Sequence, residues 1–184
     1  MIYHRFVAVL CVVLLHMFSI VSAHALELQH QSAQLKAGGY FPASKAFDPG
    51  TGIDLVYSVK PVPYAVVDAA IGYYRAEQGA SGFLSALPLT ISARAILPLP
   101  MIDVFAGGGA GVYYKMAGGL TEMPADHSEF SLGYHANAGI EVPTSNGLSL
   151  LLDCKYVFVN QGKFSSYDIK HGGAFVYGGF SLNY

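Results

Sequence analysis

His135, Asn137 and Glu141 are the first residues to suggest chemistry. A histidine oriented by a carboxylate activates a hydroxyl nucleophile in acyl transfer. Here the hydroxyl is missing, because Asn137 stands where the nucleophile would be. His127, Ser128 and Glu129 supply all three types, in a stretch expected to be a loop, but neighbours along an extended chain point apart. His30, His127, His135 and His171 lack the spacing of metal ligands. The glycine run Gly107–Gly111 precedes no helix, so it is not a phosphate cradle. No metal and no cofactor are expected. The charges Asp68, Arg94, Glu141, Asp153 and Lys155 remain, with His135. They stand singly among apolar and small residues, and their chemistry is pairing, since a buried unpaired charge is strongly unfavourable.

The elements that must position them follow a period of two. Eight segments alternate, separated by Pro, Gly, Asn and Asp. They are expected at residues 34–41, 52–60, 64–76, 85–97, 102–115, 130–142, 148–159 and 172–184. Asp68, Arg94, Glu141, Asp153 and Lys155 share the face of the glycines and small residues. Leu, Val, Ile, Tyr and Phe take the other. A soluble sandwich would solvate one face with many charges. The small face fits instead the interior of a narrow barrel of about eight strands, and the bulky face then meets lipid. The predicted fold is all-β, an eight-stranded antiparallel up-and-down transmembrane barrel. Aromatics near the segment ends, among them Phe41, Tyr73, Tyr114, Phe130, Phe158, Tyr64, Phe180 and Tyr184, suit an interfacial girdle. Short connections (60–63, 98–101, 143–147) alternate with longer polar ones (42–51, 77–84, 116–129, 160–171), as periplasmic turns alternate with extracellular loops. Pro88 lacks an N–H and should produce a bulge or a later strand start.

The chain has 184 residues and a formal net charge of −2, with 53% hydrophobic and 12% charged residues. Its mean hydropathy is +0.40. No basic surplus points to nucleic acid. The only long apolar run, residues 6–21, precedes Ser22-Ala23-His24-Ala25 and reads as a secretory signal peptide over residues 1–25. Residues 26–184 form the barrel domain. Cys11 would leave with the signal, and Cys154 alone makes neither a disulfide nor a cysteine metal cluster.

Several stretches carry a likeness. They are Leu35-Lys36-Ala37-Gly38-Gly39-Tyr40-Phe41-Pro42, Leu87-Pro88-Leu89-Thr90 before Arg94, and Phe105 through Tyr114. Gly133 through Glu141 and the terminal Phe180-Ser181-Leu182-Asn183-Tyr184 complete the set. Over essentially the whole mature chain they resemble the outer-membrane-protein β-barrel domain family, in the style of the OmpA transmembrane domain, OmpX and OmpW. The resemblance implies an integral protein of the Gram-negative outer membrane, surrounded by outer-membrane lipid. The Tyr184 segment is similar to the C-terminal signal read by the barrel assembly machinery. The expected role is non-enzymatic, structural or surface-interacting through extracellular loops, in a monomer with a filled polar lumen. A narrow porin-like channel for small solutes is the first alternative. The second is a lipid A-modifying acyl hydrolase, because the segment at His135 resembles that of the lipid A deacylases, with Asn137 at the serine position.

Overall fold

The computed structural model describes residues 31–79, 81–120, 126–161 and 169–184. The expected signal peptide and its cleavage site lie outside the described residues. The strands are β1 (Gln31–Pro42), β2 (Gly50–Val62), β3 (Ala65–Gln78), β4 (Gly82–Pro98), β5 (Asp103–Gly118), β6 (His127–Pro143), β7 (Leu148–Val159) and β8 (Gly173–Asn183). Each pairs antiparallel with the next, and β8 returns to β1, so the sheet is a closed barrel. This is the predicted eight-stranded, all-antiparallel, up-and-down architecture.

The ladders also fix the stagger. In-register partners run Gln31, Val59, Val67, Ala93, Gly108, Ala136, Tyr156, Ala174 and back to β1 at Phe41, ten residues beyond the start. A displacement of that size tilts eight strands by about 40° and leaves a bore that side chains can fill. Burial alternates as the period of two requires. In β4, Thr90, Ser92 and Arg94 are buried, while Leu89, Ile91 and Ala93 are exposed. In β7, Leu151, Asp153 and Val157 point in, while Leu150, Leu152 and Cys154 point out. Within the described strands, only Arg75 and Glu77 place a charge on the outer wall, both near one end of β3. Elsewhere that wall is aliphatic and aromatic, with Ile91 65% and Leu132 72% exposed. Rings cluster near its rims, including Tyr134 stacked on Phe158 at 4.9 Å and Tyr114 against Phe130 at 4.8 Å.

Local sequence explains the short turns. Between β6 and β7 a 3₁₀ turn, Ser145–Gly147, places Asn146 and Gly147 at φ of +65° and +75°. Asn and Gly are the residues that adopt this left-handed region most readily. Thr144 closes the turn, its N–H and hydroxyl both reaching the Leu148 carbonyl. Between β2 and β3 the register slips between Val59 and Val62, where Pro61 has no N–H to offer.

Three expectations need correction. Pro88 causes neither a bulge nor a later strand start. It lies buried inside β4, pairs with Tyr113 of β5, and leaves the β3 register unchanged on either side, at Ile71↔Leu89 and Tyr74↔Ala86. Only the ladder towards β3 is interrupted there, because that is where the missing N–H would have gone. Residues 77–84 are not a long loop: β3 and β4 run to Gln78 and Gly82, and Gly79 turns the chain at φ +59°. His127, Ser128 and Glu129 begin β6 rather than lying in a loop.

Candidate functional site

The chemistry-bearing residues meet in the bore, stacked in layers from the short-turn end to the loop end. Lowest is a vestibule of about 280 Å³ whose lining includes Lys60, Asp103, Glu141 and Gln34. Glu141 was expected in the ion-paired network. It is instead half-exposed at this mouth, and no ion pair joins it to another described residue.

Above the vestibule, Asp68 and Arg94 form a bidentate pair. Arg94 Nε donates to Asp68 Oδ2 at 2.6 Å and Nη2 to Oδ1 at 3.0 Å. Ser58 Oγ donates to the same carboxylate at 2.6 Å, and the guanidinium lies over the Phe105 ring, 4.7 Å from its centre. Asp68 and Arg94 sit near each other on β3 and β4, two residues out of direct register. Fork-to-fork geometry makes this the most directional of the pairs.

The middle layers join strands that are not neighbours in the ring. Lys36 of β1 reaches Asp153 of β7 at 2.7 Å, and Asn137 of β6 donates to Asp153 at 3.2 Å. Lys155 of β7 reaches Asp54 of β2 at 2.5 Å and faces the Tyr177 ring at 5.5 Å. His135 is buried beside these pairs, and its Nδ1 makes no hydrogen bond. Neither Asp54 nor Lys36 is among the charges singled out from the sequence. The interior parity of Lys36 was available from its neighbours. The pairing itself was not, since Lys36 and Asp153 are 117 residues apart.

Rings fill the bore above. Tyr40 stacks on Phe175 at 4.5 Å, Tyr74 meets Tyr40 at 4.6 Å, and Phe175 stacks on Tyr177 at 5.4 Å. Tyr113, Val157 and Leu84 complete the same cluster. Tyr40 Oη and Tyr74 Oη both donate to the His171 carbonyl, at 3.0 and 2.8 Å, and so tie the β7–β8 connection down onto the rings. Burial pushes the His171 imidazole down to about 3, helped by the Lys115 charge, so it is neutral at neutral pH. Beside it Lys115 pairs with Glu129 at 2.6 Å and donates to the Asn160 and Gln161 carbonyls. This ring plug is the largest feature that the sequence reading missed. Its signal was the interior parity of Tyr40, Tyr74, Tyr113, Phe175 and Tyr177, among residues otherwise taken as small.

The arrangement holds charges in place, and among the described residues neither candidate group forms an acyl-transfer constellation. His135 and Glu141 are six positions apart on β6, about 20 Å at strand rise. Asn137, at the would-be serine position, is held by Asp153. Glu129, in the other candidate group, is engaged by Lys115.

No family model matches the chain, and no curated protein matches it in sequence. Solved structures do share its fold. Neisserial surface protein A aligns with a TM-score of 0.59 at 12% identity, over 83% of this chain and 95% of that one. Ail, the attachment invasion locus protein of Yersinia pestis, aligns with a TM-score of 0.54 at 12% identity, over 84% and 98%. The outer membrane protein OprG of Pseudomonas aeruginosa gives 0.53 at 11% identity, over 84% and 94%. At such identities the likeness is one of fold: the chain has the closed eight-stranded barrel of these small outer-membrane proteins.

Proposed function

We propose that this protein is an integral outer-membrane barrel that does not conduct, is not an enzyme, and acts as a rigid scaffold presenting its loop end outside the cell. The observation that carries the membrane reading is the outer wall. A closed ring of exposed Leu, Val, Ile, Phe and Tyr with no charge between its rims suits hydrocarbon and would aggregate in water. Ring closure satisfies every strand edge, which hydrocarbon requires. The solved outer-membrane barrels of the same fold support the same compartment, with export by the signal peptide of residues 1–25. Sealing follows from the layers in the bore, where ion pairs and a ring plug occupy the path. Binding then falls to the connections between β1 and β2, β5 and β6, and β7 and β8, since loops on a rigid scaffold are the usual carriers of recognition.

The test has two parts. Refolded protein in planar bilayers should stay at baseline conductance even at high protein load. A non-adherent Gram-negative host expressing the barrel should gain adherence to one of a panel of immobilised glycans and matrix proteins. That gain should be lost when the β5–β6 connection is cut to a tight turn. Steady conductance steps would replace this reading with the porin-like channel. Adherence unchanged across the panel would remove the surface role.

A further inference from the structure

The vestibule at the short-turn mouth holds carboxylates that the lumen network does not use. Asp103 and Glu141 are direct cross-strand partners on β5 and β6, both on interior parity and both lining the vestibule. Direct partners hold their Cβ atoms about 5 Å apart, and like charges there repel. Among the described residues, neither carboxylate has an ion-pair partner. Arg94, which also lines the vestibule, is committed to Asp68. A second observation comes from β1, on the opposite side of the ring. Gln34 is 2% exposed, lines the same vestibule, and its carbonyl oxygen Oε1 accepts no hydrogen bond. A buried amide oxygen without a donor is costly, and native structures rarely leave one so. The hydroxyl of Ser149 and the side-chain amide of Asn183 complete an oxygen-rich lining.

We propose that this vestibule binds one hard divalent cation, of the calcium class, between the Asp103 and Glu141 carboxylates with the Gln34 carbonyl as a third donor. Among the described residues, the lining holds no histidine or cysteine, which disfavours zinc and the softer metals. Oxygen donors of mixed type, on separate strands and with room for water, suit calcium better than the tight octahedron of magnesium. The cation removes the repulsion between β5 and β6 and supplies the partner that Gln34 lacks. Lys60 lines the same space and opposes binding, so affinity is modest, with a Kd of about 10⁻⁴–10⁻³ M, as in sites of few charged ligands. The site faces away from the loops, and its existence is independent of what they bind.

The experiment uses the whole mature chain, refolded in lipopolysaccharide-free detergent and titrated with calcium chloride by calorimetry. The thermal transition is measured in parallel with calcium and with chelator. One saturable site and a higher transition with calcium are expected. Asp103→Asn combined with Glu141→Gln should abolish both effects. It should leave the transition in chelator unchanged or raised, because the repulsion is gone, and this shows that the variant folds. Lys60→Gln should tighten binding several-fold. Absence of saturable binding would overturn the proposal. So would binding that survives the double substitution, which would place calcium elsewhere, or a Lys60→Gln variant that binds no tighter.

Discussion

At the scale of single residues, the bore is built from charges that exist only as pairs. Arg94 and Asp68 are both nearly inaccessible, and each is the other's main compensation. Removing one leaves an uncompensated buried charge, so Arg94→Met alone should destabilise the barrel by about 3–5 kcal/mol in urea unfolding from micelles. Arg94→Met with Asp68→Leu should recover most of that loss, because a buried pair replaced by apolar groups of similar volume is often neutral. Equal losses in the single and double variants would show that the pair is not the stabilising unit. What was legible of this network in the sequence was parity. Asp68, Arg94, Asp153 and Lys155 do face the bore, but alternation along one strand says nothing about which strand lies opposite. Lys36–Asp153 and Lys155–Asp54 depend on ring closure and stagger, which no local window contains. Parity puts Glu141 on the interior face but says nothing of depth, and its position two residues from the end of β6 brings it out to the mouth.

Strands carry a different constraint, since each must serve lipid on one side and a packed bore on the other. Ile91 of β4 stands about midway between the two aromatic rims and is 65% exposed. Ile91→Arg should cost about 2–4 kcal/mol in the same unfolding assay in lipid vesicles. Ala76→Arg would confuse burial with depth, so the control is Glu77→Arg, at the loop-end rim, which should change stability little. A cost as small at Ile91 as at Glu77 would contradict a lipid-facing wall. Alternation made these strands readable, and Leu148–Val159 was read to the residue. Most boundary errors lie at the loop end, where β4, β5 and β6 extend beyond the expected bounds to Gly82, Gly118 and His127, while at the short-turn end β1 starts early, at Gln31, and β2 runs on to Val62. At the loop end the wall has left the apolar belt, so outward residues turn polar and the period of two fades. Pro88 misled for another reason. Its missing N–H interrupts one ladder only, and the β5 ladder holds the strand in register.

For the whole molecule, closure links every other feature. It removes the sheet edges, sets the stagger that brings Lys36 of β1 within reach of Asp153 of β7, and leaves a bore that five ion-paired and aromatic layers can fill. The same closure should make the native form resist detergent, because unfolding must break a complete ring of ladders at once. The measurement that bears most directly on the central claim is gel mobility, with and without boiling, of the protein recovered from fractionated bacterial envelopes. A band in the outer-membrane fraction that migrates as a compact species unheated and shifts after boiling is the predicted result. A soluble periplasmic band with the same mobility in both lanes would contradict the lipid-facing wall and the sealed membrane barrel built upon it.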